Sequence, residues 1–279
     1  MNLFEFVGYC NVYEFEINGV NRIVQYTLKD LLFQINKDLE DISKTSTFDD
    51  INIRDLRRLD HNWTINNSET VIALRKNIVI FSIDTTRALI LHNKIYFILP
   101  NGADNDINKF SNNMNKNVLD SFEYQAYDSL FQIIKYYDNL NLSNLTDEVK
   151  SISAQLKKAS IIPLNIQEKL KTLKTTIADL SKHFGLITNL LTEIVEDDEK
   201  LLYLNLTFLK DNFMLAENTK DNLVATHREK MSSLFEAYLF DYTNLLFKIN
   251  SLNNKIEHEE EYAILKLRSM HYQLVMANM

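Results

Sequence analysis

Two groups of carboxylates are the residues here whose type and spacing point to chemistry. The first is the run Glu196-Asp197-Asp198-Glu199, and the second gathers Glu257, Glu259, Glu260 and Glu261. Carboxylate oxygens suit hard divalent cations such as Mg²⁺, which keeps several waters and needs only one or two carboxylates from a chain. Consecutive acids fan around a helix, so one helix alone cannot chelate a small ion with all of them. Carboxylates from neighbouring subunits can. The same clusters also read as solvated acidic faces. Glu259 is distinctive: stepping by four and three from Leu252 and Ile256 places it on an apolar seam, where a carboxylate either reaches solvent or meets a partner charge or ion.

Other chemistry finds little support. His258-Glu259-Glu260-Glu261 is superficially like a zinc-binding helix, but position 262 is Tyr where a second His is required. There is no Gly-rich phosphate loop and no GxSxG elbow, so no enzyme constellation is present. The single cysteine, Cys10, excludes an internal disulfide framework and a multi-cysteine zinc site. A net charge of −8 argues against a nucleic-acid partner, which requires a basic footprint. No run of 18 apolar residues exists to span a bilayer, and Glu5 interrupts any acid-poor targeting segment at the start.

The elements that must position these acids are mostly long helices. The 279 residues include 4 Gly and 2 Pro, too few for a fold of many tight turns. The N-terminal part is the exception. Val12 to Ile17 alternate, Asn18-Gly19 supplies a turn, and Asn21 to Tyr26 reads as a partner strand. Thr27 is placed as the N-cap of a short amphipathic helix carrying Leu28, Leu31, Leu32 and Ile35. Arg54, Arg57 and Arg58 with Asp55 and Asp60 suggest a helical turn tied by ion pairs or, as the more ordinary reading, a solvated basic turn. Val71–Leu74, Ile78–Phe81, Arg87–Leu91 and Lys94–Leu99 read as strands whose short spacers imply antiparallel pairing. Residues 101–117 are polar and Asn-rich and read as a mobile loop.

Beyond residue 118 the pattern is helical. Phe122 to Leu140 and Leu145 to Leu156 form two stripes. Pro163 breaks the pattern, and Asn165 with Glu168 resembles a capping box. Ile166 to Ile194 then follow a heptad seam whose next positions, Asp198 and Asn205, are polar, which marks a wet or functional contact. Residues 208–230 read as a helix–helix connection. From Lys230 to Met279 apolar residues recur every three or four positions without a Pro or Gly. An unbroken helix there is roughly 75 Å long, more than a compact core requires. The predicted class is α+β, an N-terminal antiparallel sheet flanked by helices, then a long antiparallel helical arm and a stalk helix. Its parts are an α/β domain over 1–117 with the loop at 101–117, an arm over 118–229 and a stalk over 230–279.

Five segments in order resemble the CorA superfamily of magnesium channels, in its eukaryotic, mitochondrial-type branch. They are Arg54-Asp55-Leu56-Arg57-Arg58-Leu59-Asp60; the strand block from Thr70-Val71-Ile72-Ala73-Leu74-Arg75 through Ile78-Val79-Ile80 to Arg87-Ala88-Leu89-Ile90; Ser121-Phe122-Glu123-Tyr124-Gln125-Ala126; Glu196 to Leu201 with Asn205-Leu206-Thr207; and Leu234-Phe235-Glu236-Ala237-Tyr238 with Ile256 to Tyr262. Lys200 departs from the family's usual acid, and Asn205 from its frequent Tyr. The family's Gly-Met-Asn tripeptide and its two membrane helices are absent from these residues. The resemblance implies a soluble regulatory domain of a Mg²⁺ channel, with Mg²⁺ both transported and sensed. Its candidate ligands are Asp197, Asp198, Glu199, Glu257, Glu259, Glu260 and Glu261, holding the ion between subunits to favour the closed state. It further implies a pentamer in the full-length channel, with the isolated domain a monomer or dimer, and a C-terminal helix that leads toward a membrane segment absent here. The location implied is the mitochondrial inner membrane with this domain in the matrix, or another membrane with the domain in the cytosol. The competing reading is a soluble helical scaffold or tether without ion function.

Overall fold

The computed structural model describes residues 9–17, 21–40, 50–59, 70–99, 104–114, 121–158, 164–210 and 222–277. Six strands form one antiparallel sheet: β1 (Tyr9–Glu16), β2 (Arg22–Thr27), β3 (Val71–Arg75), β4 (Ile78–Ile83), β5 (Thr86–Ile90) and β6 (Lys94–Leu99), in the spatial order β2-β1-β6-β5-β4-β3. The register sets Val12 opposite Val24 on one side and Ile98 on the other, and Leu89 opposite both Ile80 and Tyr96. β4, β5 and β6 are buried along their whole length, so they read as continuous apolar runs and not as alternating ones. In a chain this poor in glycine, the tight turns before β4 and β5 use Asn77 (φ 53°) and Asp84 (φ 52°), residue types that tolerate the left-handed region.

Helices cover both faces of the sheet. On one side lie α1 (Leu28–Glu40) and α2 (Ile53–Leu59), whose Leu31, Ile35, Leu56 and Leu59 pack with Val12, Ile80, Leu89 and Ile98. Thr27 caps α1 as its sequence predicts: its Oγ1 accepts from the Asp30 N–H at 3.1 Å. The other face is aromatic. Phe15 and Phe97 meet Phe110 of α3 (Asp104–Met114), Phe15 also stacks on Phe122, and Phe81 meets Phe131 edge-on. The polar loop expected over 101–117 is therefore corrected. Within it, residues 104–114 are helical because Phe110 and Met114, one turn apart, both enter the core.

The rest is helical: α4 (Phe122–Lys158), α5 (Leu164–Val195), α6 (Asp198–Tyr203) and α7 (Asn222–Ala277). The two stripes expected between Phe122 and Leu156 merge into one helix. Residues 206–210 are also helical, and α7 begins at Asn222 within the stretch expected to be a connection; residues 211–221 lie outside the described residues, as do Asn18-Gly19, Asp60 and Pro163. The backbone divides into two compact units, one of Met1–Ile134 with Leu190–Tyr238, the other of Lys135–Asn189 with Leu239–Met279.

In the second unit α4, α5 and α7 bury the predicted seams, including Val149, Ile177, Phe184, Ile249 and Ile256. Their polar stitches are few and specific. Asp138 accepts from Tyr242 Oη at 2.8 Å and faces His183 Nε2 at 3.2 Å, which joins all three helices at one buried carboxylate. Along α7 the seam is buried as far as Ala263, half-buried at Leu267 and Met270, and exposed at Leu274. No helix among the described residues is long and apolar enough to cross a membrane.

Candidate functional site

The first acidic cluster belongs to the sheet-bearing unit. The heptad seam of α5 does not continue through it, because α5 ends at Val195 and a turn at Glu196-Asp197 starts α6. Asp197 is the N-cap of α6 and accepts from the Lys200 N–H at 2.9 Å, so the backbone donors of the new helix account for one of its oxygens. Asp198 is exposed and paired with Arg228 Nη1 of α7 at 2.9 Å. Glu199 is exposed and, with Asp197, Lys200 and Tyr203, lines an open cleft of about 480 Å³ against Ile72, Ala73 and Leu74 of the edge strand β3. Asn205, expected at a wet seam position, is instead 3% exposed, and its Oδ1 accepts from the Phe208 N–H at 3.0 Å.

The second cluster lies on α7 in the other unit. Glu257 is exposed and accepts from Asn253 Nδ2 one turn earlier at 3.1 Å. Glu259 does fall on the seam and is half-buried, and Ser153 Oγ of α4 donates to it at 2.5 Å. Glu260 pairs with Lys174 Nζ of α5 at 2.8 Å. Glu261 and His258 lie 3.9 Å apart, both strongly exposed. Among the described residues no three His, Cys, Asp or Glu side chains gather as a metal-binding group. Within one chain, then, most of these carboxylates already hold one partner and turn their remaining lone pairs to solvent.

Other carboxylates are buried and tie separate stretches of sequence together. Asp55, 2% exposed, accepts from Arg75 Nε at 3.1 Å and Nη2 at 2.9 Å, a bidentate pair that fastens α2 to β3; Arg58 approaches it only to 4.0 Å. Glu123 at the start of α4 is wholly buried and accepts from Thr207 N at 3.1 Å and Thr207 Oγ1 at 2.7 Å. Its burial pushes the carboxyl above the usual range, against the opposing pull of the Thr207 bonds. Lys94, 5% exposed, is ringed by Asp38 and Glu16 at 3.1 Å each and Glu14 at 3.4 Å, and Tyr96 donates to Asp38 while Tyr26 and Arg22 donate to Glu14. Burial together with those carboxylates pushes the Tyr26 hydroxyl up to about 12. The sequence gives no sign of the Asp55–Arg75 and Glu123–Thr207 partnerships, since those residues stand 20 and 84 positions apart.

As a donor set these oxygens, exposed or half-buried and without thiols or paired imidazoles, are of the type a hard divalent ion takes. Residues 34–269, a stretch that takes in both clusters and the Asp55–Arg75 and Glu123–Thr207 pairs, match the protein-family model described as Magnesium transporter MRS2-like. Among curated proteins none matches the chain.

Proposed function

The chain belongs to the MRS2-like magnesium transporter family, and on that premise we propose that its described residues are the Mg²⁺-sensing body of a CorA-type transporter. Family membership makes Mg²⁺ the transported ion and puts the protein's work at a membrane, in transport and not in a known class of enzyme. The finer reading is regulatory. Carboxylates from neighbouring subunits hold Mg²⁺ between them, which damps their mutual repulsion and favours a closed assembly; when Mg²⁺ is scarce the acidic faces repel and the assembly loosens. In this reading the assembly is a pentamer, and the body lies in the mitochondrial matrix or, on another membrane, in the cytosol.

The observation that carries the reading is that the family match spans both acidic clusters, whose carboxylates all keep access to water. Asp197, Asp198, Glu199, Glu257, Glu259, Glu260 and Glu261 are the proposed ligands, one or two serving each ion. Arg228 on Asp198 and Lys174 on Glu260 then compete with the ion for their carboxylates. Exposed pairs of this kind are worth about 1 kcal/mol or less, so a divalent ion can displace them.

Thermal unfolding tests the proposal. About millimolar MgCl₂ is expected to raise the melting temperature beyond the effect of NaCl at matched ionic strength, because binding to the folded state alone stabilises it. The double variant Asp198→Ala, Glu259→Ala is expected to lose that increment. A variant that keeps the full Mg²⁺ response removes the ligand assignment, and a wild type with no response returns the chain to a scaffold without ion function.

A further inference from the structure

Asn205 sits between α6 and the helical stretch 206–210, with both ends of its amide committed. The Phe208 N–H can only donate, so the atom it meets at 3.0 Å is the amide oxygen, and the orientation of the amide is set. The Asn205 NH₂ then faces His227 Nδ1 of α7 at 3.0 Å. An NH₂ group can only donate as well, so Nδ1 holds a lone pair and the proton of the neutral ring is on Nε2. The same imidazole lies against the Phe208 ring, centroids 4.6 Å apart, and Phe208 packs with Leu202 of α6 and Val224 of α7. Through one half-buried histidine, the segment that begins with the first acidic cluster is fastened to α7.

A second proton on the ring turns Nδ1 into a donor aimed at a donor. Asn205 can offer an acceptor only by turning its amide over, which takes the oxygen away from Phe208 N–H. Asn205 and Phe208 are each 3% exposed, so the abandoned N–H or NH₂ has little water to turn to. We propose that Asn205 and His227 form a proton-sensitive latch, closed while the imidazole is neutral and opened when it is charged, that governs how firmly residues 198–210 are held on α7.

The surroundings favour the neutral ring. Burial first, and then the Lys230 ammonium, hold the His227 imidazole below its ordinary range. On α7 itself the nearby charges are Lys230, which lies 5.3 Å over the Tyr124 ring, Arg228, which is paired with Asp198 of α6, and Glu229, which is exposed. From α4 the titratable groups are Tyr124, Glu123, which is bound to Thr207, and Tyr127, whose hydroxyl donates to Leu204 O beside Asn205 at 3.2 Å; in the 206–210 stretch Lys210 is engaged with His92. None of these supplies an acceptor to Nδ1. Because the folded value is depressed, the latch contributes its full stability above the ordinary histidine value near 6.5 and loses it as pH falls from there through the folded value, by at most about tenfold in the closed-to-open ratio per pH unit. The latch rests on the Asn205–His227 geometry and does not require the acidic clusters to hold Mg²⁺.

Amide hydrogen exchange, corrected for intrinsic rates, tests this on the whole chain without added Mg²⁺. Between about pH 7.5 and 5.5 the protection of the 205–210 amides is expected to fall several-fold in the wild type, with about tenfold as the ceiling. In His227→Gln, which can still accept from Asn205 but does not titrate, and in His227→Phe, which keeps the ring contact, protection is expected to change by less than about twofold over the same range. A wild type whose protection does not fall, or variants that lose it equally, overturn the latch. So does a ¹⁵N spectrum that finds the neutral His227 ring protonated on Nδ1, a measurement that needs no variant.

Discussion

Glu123 is the most completely buried carboxylate described here, and its partners explain why it is there. Thr207 offers it two hydrogen bonds, so a single side chain at the start of α4 satisfies an otherwise unpaired N–H at the start of the 206–210 stretch. The cost is desolvation, which raises its folded value above that of the unfolded chain. The stability it contributes is therefore fully present below the ordinary carboxylate value near 4.3 and lost as pH rises through the raised folded value. Measured by urea unfolding, the stability of wild type minus that of Glu123→Gln is expected to grow as pH is lowered from 7 toward about 4.5. A constant difference refutes this account. Glu123 and Thr207 stand in two segments that the sequence singled out separately, as do Asp55 and Arg75. The segments were legible as strings, but the bonds that join them were not, because nothing local specifies a partner 20 or 84 residues away.

At the level of elements, α3 shows where periodicity fails as a guide. Its eleven residues, Asp104–Met114, include four Asn and two Asp, a composition that ordinarily marks a loop. The helix is held by tertiary contact: Phe110 is fully buried against Tyr13, Phe15 and Phe97, and Tyr13 Oη shares a 2.7 Å hydrogen bond with Ser111 Oγ. Phe110→Ala is expected to cost about 3–4 kcal/mol in urea unfolding and to abolish the protection of this helix in hydrogen exchange. The strands and the three long helices were legible because β-branched runs and three-and-four spacing are strong local signals. Asp198 and Asn205 were misread as a continued seam because the break at Glu196-Asp197 has no Gly or Pro. It is set by the Asp197 cap, a single side chain that counts for nothing in an apolar pattern. For the candidate ligands, the sequence gives no sign of the partners that Asp198, Glu259 and Glu260 hold, Arg228, Ser153 and Lys174.

For the whole molecule the governing quantity is charge. A net −8 on 279 residues, with two acidic clusters open to water, opposes self-association in the absence of a counter-ion. By sedimentation, about millimolar MgCl₂ is expected to raise the average mass of the chain while NaCl of equal ionic strength does not, because screening weakens repulsion but supplies no bridge. Equal effects of the two salts argue against carboxylate-held ions between subunits. Connectivity carries a further consequence. The boundaries between the two compact units fall at 134/135, 189/190 and 238/239, inside α4, α5 and α7 respectively. A protease acts on chain it can unwind and thread, and at each of these crossings it meets hydrogen-bonded helix, so the crossings themselves are poor sites for limited digestion.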